Sequence, residues 1–379
     1  MIYTRDELFS VQAAWGPVYS IMSSNMIITQ LKKTPAILCL AVTIMLPSCS
    51  KKGLDRDLIV ISGKTMGTEY EVKIVTTETI SKQQFIEVRN GIDSLLGVVN
   101  QQMSTYIDSS EISRFNCYEK TDWFPVSTET AEVFKQSLEV SEKSSGAFDI
   151  TVGPLVNLWG FGPEKRNADV PSEESITQVM RFIGYRKISA RLSPPSIKKK
   201  VSDVYCDLAA VAKGYGVDRI AEYLEFNGIS DYLVEIGGEI RARGRNQRDT
   251  VWQVGIAVPE NESGIQTVVS LNNLSMATSG DYRFYFEREG IRYSHIINPG
   301  TGKPITHKLA STTVIHTSCA YADAMATAII VLGPGEGYKL ALRENLPAFL
   351  IIREKDSFVE KMTPAFKKCL APDEHRSNH

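Results

Sequence analysis

The sequence has no pair of cysteines at CxxC spacing. Its six cysteines are Cys39, Cys49, Cys117, Cys206, Cys319 and Cys369, so neither a zinc site nor a thioredoxin-like motif is indicated. At 379 residues the chain is too long for a small disulfide scaffold, and a single long-range disulfide stays open. An excess of one charge is also missing. The 42 Lys and Arg nearly balance the 44 Asp and Glu, for a net charge of -2, which removes the usual electrostatic footprint for nucleic acid. The short basic run Lys198 to Lys200 is expected to be a solvated loop. There is no repeat of fixed period and no low-complexity segment. With 43% hydrophobic and 23% charged residues, the composition is that of a globular chain of one to three domains rather than a disordered one.

The apolar stretch Ala36 to Leu46 is too short for a transmembrane helix. It follows Lys32 and Lys33 and ends in Leu46-Pro47-Ser48-Cys49. The order of positive segment, apolar segment and cysteine resembles a bacterial lipoprotein signal with its lipobox; a plain signal peptide or a buried strand is the alternative. Residues 26–48 are then the signal, Cys49 the lipidated residue, and 49–57 a tether. Asp6 and Glu7 do not suit a signal, so 1–25 reads as an extension upstream of a start at Met26. The expected location is the extracytoplasmic, periplasmic side of the cell membrane, held by a lipid anchor. The folded domain is expected over 58–370, with a disordered tail over 371–379.

Within the domain, Leu58 to Val75 reads as paired strands around Gly67. Lys82 to Val99, Thr128 to Ser144 (with Thr128 as N-cap), Pro171 to Ile183, Asp207 to Asn227 and Ser318 to Leu332 read as helices. Strands are expected over Tyr232 to Arg243, Trp252 to Val258, Val268 to Leu274 and Ala348 to Arg353, with a hairpin across Arg288-Glu289-Gly290. This mixture predicts an α+β fold with mixed, largely antiparallel sheets and packed helices. Two glycine clusters fail as nucleotide motifs. Gly300-Thr301-Gly302-Lys303-Pro304 has Pro where a P-loop needs Ser or Thr, and Gly333-Pro334-Gly335-Glu336-Gly337 follows a helix rather than a strand. Gly237-Gly238-Glu239 sits between strands and fits a bulge or a close backbone approach.

Four segments carry candidate chemistry. Asp207 to Tyr215 opens a helix with an acid and a base, Asp207 and Lys213, around small residues. Lys213 offers a cation to a phosphate or a flavin carbonyl; a capping Asp and a surface Lys read equally well. Asp323 and Thr327 stand four apart, on one helical face. They are two hard oxygen ligands suited to Mg2+, or a Thr bonded back to a carbonyl. Thr278, Ser279 and Gly280 offer hydroxyls and backbone N–H groups to an anion, and Asp281 and His295 are candidate proton acceptors, His295 favoured by its titration range. Ala147-Phe148-Asp149, followed by Trp159 and Phe161, offers an apolar platform for a flavin ring, or only core residues that anchor loops.

Taken in order with Met66-Gly67-Thr68 and Met103-Ser104-Thr105-Tyr106, these segments resemble the ApbE family of FAD:protein FMN transferases from Met66 to about Leu332. The resemblance implies a T-fold-like architecture and FAD as the substrate. It places Met66, Tyr106, Ala147, Phe148, Asp149, Asp207, Lys213 and Ile297 at FAD, and Thr278 joins them as a hydroxyl for the phosphates. It also implies Mg2+ held by the Ala210 carbonyl with Asp323 and Thr327, and His295 assisting transfer. The implied reaction moves FMN from FAD to a threonine hydroxyl of an acceptor protein, a subunit of a membrane redox complex, and releases AMP. A Mg2+-dependent FAD pyrophosphatase and a non-catalytic FAD-binding lipoprotein are the rival readings. Two positions depart from the family pattern. Ala209-Ala210 replaces a common Gly-Gly, which a carbonyl ligand tolerates, and Asn298 replaces a common Asp.

Overall fold

The computed structural model describes residues 56–372 apart from 78–79, 163–169, 260, 283 and 356. The expectations on the signal segment, on Cys49 and on residues 373–379 lie outside the described residues. Among those described, no helix is long and apolar enough to cross a membrane.

Strand β1 (Asp57–Thr65) turns into β2 (Thr68–Thr76) through Met66 and Gly67. Both turn residues have positive φ, 49° and 73°, the backbone that a two-residue hairpin requires. Then come β3 (Tyr232–Ile236), β4 (Glu239–Arg243), β5 (Leu274–Gly280), β6 (Leu309–His316), β7 (Ala348–Glu354) and β8 (Ser357–Met362). These eight strands form one sheet, and their order across it is their order along the chain. Every neighbouring pair is antiparallel, so no crossover is needed. The α+β expectation therefore holds, and the sheet is more regular than "mixed".

Helices α1 (Lys82–Met103), α2 (Thr128–Lys143) and α3 (Ala209–Phe226) lie in the chain between β2 and β3, and α4 (Cys319–Arg343) lies between β6 and β7. Alternation along the strands assigns the two faces of the sheet. Val72 and Val234 pack with α1 and α3, and Ala277, Val314 and Leu350 with the α4 core. Their neighbours Leu233, Met276, Ile315, Phe349 and Ile351 point to the other face, which is covered by Trp252, Val254, Ile256 and Leu271 of a further hairpin.

Several sequence expectations need correction. Ser127, not Thr128, caps α2, accepting from the Thr130 N–H. Tyr232 to Arg243 is two strands, because Gly237 and Gly238, at φ 59° and 102°, make a hairpin turn with Ile236 opposite Glu239, not a bulge. The strand expected over Val268 to Leu274 breaks near Asn273, whose φ is 54°. Lys199 is not in a solvated loop. It ends a strand (Pro195–Lys199) and is fully buried, its ammonium donating to the carbonyls of Asn116 and Val204 and lying over the Phe115 ring. The α4 run is interrupted where the sequence placed its stop, at Gly333 with φ 79°, and continues beyond Pro334.

A buried carboxylate locks α4 to α3. Asp218 of α3 accepts from the Cys319 and Ala320 N–H groups at 3.0 Å each, from Ser318 Oγ at 2.9 Å and from Arg241 Nη1 at 2.9 Å. It therefore satisfies the unbonded donors at the start of α4, where a negative charge is favoured. Asp218→Ala is expected to cost about 3 kcal/mol of stability, since it leaves the buried N–H groups of Cys319 and Ala320 without an acceptor and Arg241 with Glu225 alone. Chemical denaturation measures this, and a loss below about 0.5 kcal/mol would contradict the assignment.

Candidate active site

Small residues bring α3 and α4 together. A Cβ at Gly214 would lie 2.5 Å from the Cys319 carbonyl oxygen, so only glycine allows this approach. At the contact the Gly214 N–H donates to Asp323 Oδ2 at 3.1 Å. In a regular helix that N–H belongs to the Ala210 carbonyl. The Asp323 carboxylate thus takes its hydrogen bond from the helical partner of the Ala210 carbonyl. Thr327, one turn on from Asp323, lies 3.3 Å from Ser279 Oγ on β5. A carboxylate, a carbonyl and hydroxyls make an all-oxygen donor set of the kind Mg2+ takes, with positions left for phosphates and water. No group of three or more His, Cys, Asp or Glu suited to a metal occurs among the described residues.

Lys213 and Asp323 share this junction with a residue the sequence reading did not single out. Glu239, at the exit of the Gly237-Gly238 turn, takes the Lys213 ammonium at 2.6 Å. Burial drives the Asp323 pKa up, Lys213 opposes that and Glu239 reinforces it, leaving the carboxyl near 7, at about 7. Burial works against the Lys213 charge, but Asp323 and Glu239 outweigh it and hold the ammonium above its usual range. The acid directly after two glycines was the signal for Glu239. Its lysine partner, on a distant helix, was not visible in the sequence.

The third segment is a strand. Thr278, Ser279 and Gly280 lie in β5, opposite Thr313, Thr312 and Ser311 of β6, while on its other edge β5 pairs with β4 only over Leu274, Ser275 and Met276. The Thr278 hydroxyl is 2.8 Å from that of Thr313. Just beyond, both Asp281 oxygens are taken by Arg353, at 2.8 and 2.6 Å. Arg292 donates to the Asp281 carbonyl at 3.0 Å and so tethers the Tyr285–Arg288/Ile291–Ser294 hairpin to the end of β5. His295 follows that hairpin. Its Nδ1 lies 2.9 Å from the Phe284 carbonyl. A carbonyl only accepts, so Nδ1 carries the hydrogen, and in the neutral ring Nε2 carries the lone pair. Phe161 and Phe284 meet the imidazole edge-on, and Trp159, Tyr293 and Phe286 stack behind.

The remaining expected FAD contacts surround this core unevenly. Met66 occupies the β1–β2 turn, its methyl 3.1 Å from where a Cβ on Gly216 of α3 would stand. Asp207 accepts from the Ala209 N–H at 2.8 Å, and burial raises its pKa. Asp149 is buried, receiving Thr151 N–H and Oγ1 on one oxygen and the Tyr185 N–H on the other. Ala147, Phe148 and Trp159 are buried, as core residues that anchor loops would be, and Phe161 is half-buried. Ile297 is buried as well, whereas Tyr106 is 73% exposed. A surface cavity of about 590 Å3, lined by Ser94, Gly97 and Arg114 among others, shares no residue with the cluster.

Oxygen donors at a helix junction, a half-buried lysine beside them and a tautomer-fixed histidine after the neighbouring hairpin suit a group-transfer enzyme that handles phosphates. The ApbE family model matches residues 66–350, and the chain belongs to the ApbE family. It is 40% identical over 336 residues to the FAD:protein FMN transferase of Vibrio cholerae, covering 88% of this chain and 98% of that protein. The FAD:protein FMN transferase of Haemophilus influenzae is 41% identical, over 89% and 98% of the two chains. Among solved structures, the flavin transferase ApbE from Vibrio cholerae superposes with a TM-score of 0.77 at 40% identity, over 83% of this chain and all of that one. The apo flavinyl transferase ApbE of Pseudomonas stutzeri gives 0.76 at 37% identity, over 83% and 97%.

Proposed function

We propose that this protein transfers FMN from FAD to a threonine hydroxyl of an acceptor protein and releases AMP. Family membership supports flavin transfer. The observation that carries the chemistry is the α3–α4 junction, where Asp323, Lys213 and the Ala210 carbonyl converge through the Gly214 contact. Asp323, Thr327 and the Ala210 carbonyl are the residues that would hold Mg2+, which when bound supplies positive charge to the pyrophosphate. Lys213 orients the phosphates as a second cation. His295 Nε2 accepts the threonine proton as the oxygen attacks the phosphorus on the FMN side; the bond from that phosphorus to the AMP oxygen breaks, and AMP leaves. Asp281 was the other candidate base, but both its oxygens face Arg353, so we assign its carboxylate to that ion pair and its main-chain carbonyl to holding the hairpin that precedes His295. Cys49 is the proposed lipid attachment point. An anchor there would put the enzyme on the periplasmic face, beside subunits of membrane redox complexes.

Mixing protein, FAD, Mg2+ and a threonine-bearing acceptor should give a flavin-fluorescent acceptor band on a denaturing gel. Free FMN without a band would replace this reading with a pyrophosphatase, and neither product with a binding protein.

The raised Asp323 pKa gives a pH dependence. Cation binding needs the carboxylate, and a proton competes for it below about pH 7. The Mg2+ concentration for half-maximal transfer should therefore rise as pH falls below that point, by up to about tenfold per unit, and level off above it. A titration of Mg2+ at several pH values measures this, and a requirement that does not change with pH would contradict it.

A further inference from the structure

Glu239 has no part in the transfer derived above. It is 2% exposed. One carboxylate oxygen meets Lys213 at 2.6 Å, and the other, Oε2, is buried with no hydrogen-bond partner. An unpaired buried carboxylate oxygen weakens a fold and so calls for an explanation in function. Its position is fixed by the backbone. The Gly237 N–H donates to the Glu69 carbonyl at 3.1 Å, a Cβ on Gly237 would lie 2.8 Å from Thr68, and Glu239 is held opposite Ile236 in the β3–β4 ladder. The backbone that carries Glu239 is thus held in place beside Lys213.

A lysine that only had to grip a pyrophosphate would do so better without a carboxylate beside it. Glu239 cancels the Lys213 charge, and Asp323 adds negative charge next to the pair. The cluster therefore repels a bare pyrophosphate and attracts a cation. We propose that Glu239 makes the capture of FAD conditional on a divalent cation: metal-free FAD is turned away and metal-bearing FAD is accepted. This rests on the reading of the junction as the FAD and Mg2+ site. It gives Glu239 an electrostatic role distinct from holding Lys213 in place, and the two roles predict opposite signs.

The test is a titration of the full chain with FAD, followed by flavin fluorescence, in chelator and in Mg2+. Wild-type protein should bind FAD at least about tenfold more tightly with Mg2+, the order expected from one unit charge several ångströms away. The Glu239→Gln variant keeps the shape and removes the charge. In chelator it should bind FAD about tenfold more tightly than wild type, and the gain from Mg2+ should shrink by the same factor. Glu239→Asp keeps the charge and should keep the metal dependence. If Glu239→Gln weakens FAD binding equally with and without Mg2+, or changes neither, the inference fails and the site reading stands. If wild-type protein binds FAD under neither condition, the site reading fails and takes the inference with it.

Discussion

Asp323→Ala protein is expected to fold and to transfer no FMN, with a rate at least about a thousandfold below wild type. In the proposed Mg2+ site Asp323 is the only carboxylate beside Thr327 and the Ala210 carbonyl, so its removal would take away the one anionic ligand. The fold should survive because removing a buried carboxylate also removes the cost of burying its charge. The Gly214 N–H loses its side-chain acceptor, a cost of about 1 kcal/mol, small against the rest of the core. Rates are to be measured in chelator-treated buffer with Mg2+ added back. A rate within about twofold of wild type would mean that the metal lies elsewhere.

His295→Ala should reduce the transfer rate by about a hundredfold to ten-thousandfold while FAD binding stays near wild type. The ring is half-buried and held by one carbonyl and two aromatic edges, so its removal disturbs a surface hairpin rather than the core. A kinetic loss confined to turnover, with FAD affinity retained, marks a proton acceptor. A loss confined to FAD affinity would instead make His295 a binding residue and return the choice of base to Asp281.

Much of this architecture was legible from local pattern. The Met66-Gly67 and Glu289-Gly290 turns, the α1 periodicity and the small-residue faces of α3 and α4 depend on residues near one another in the chain, and they appear where the sequence put them. The failures share a cause. The apolar alternation from Tyr232 to Arg243 runs unbroken through the Gly237-Gly238 turn, because Ile240 and Ala242 continue the even positions of Tyr232, Val234 and Ile236 although they face the other side of the sheet. The composition of Thr278, Ser279 and Gly280 did not reveal that they lie in a strand whose neighbour carries Ser311, Thr312 and Thr313. Lys199 gave no sign that carbonyls and an aromatic ring awaited it inside. Asp281 could not be separated from His295 as a base until Arg353, on β7, was found across it.

The same limit applies at the site. Spacing put Asp323 and Thr327 on one face of a helix but did not say what stood opposite. The structure supplies Gly214 with the Ala210 carbonyl beside it, and Ser279 next to Thr327. Glu239 entered only through its contact with Lys213.

The measurement closest to the central claim follows the acceptor and the leaving group together. The intact mass of a threonine-bearing acceptor is recorded as AMP is quantified in the same reaction. The account predicts that the acceptor gains one FMN in phosphodiester linkage for each AMP released, and that replacing the threonine with valine stops both. AMP appearing at an undiminished rate with no mass gain on the acceptor would contradict it.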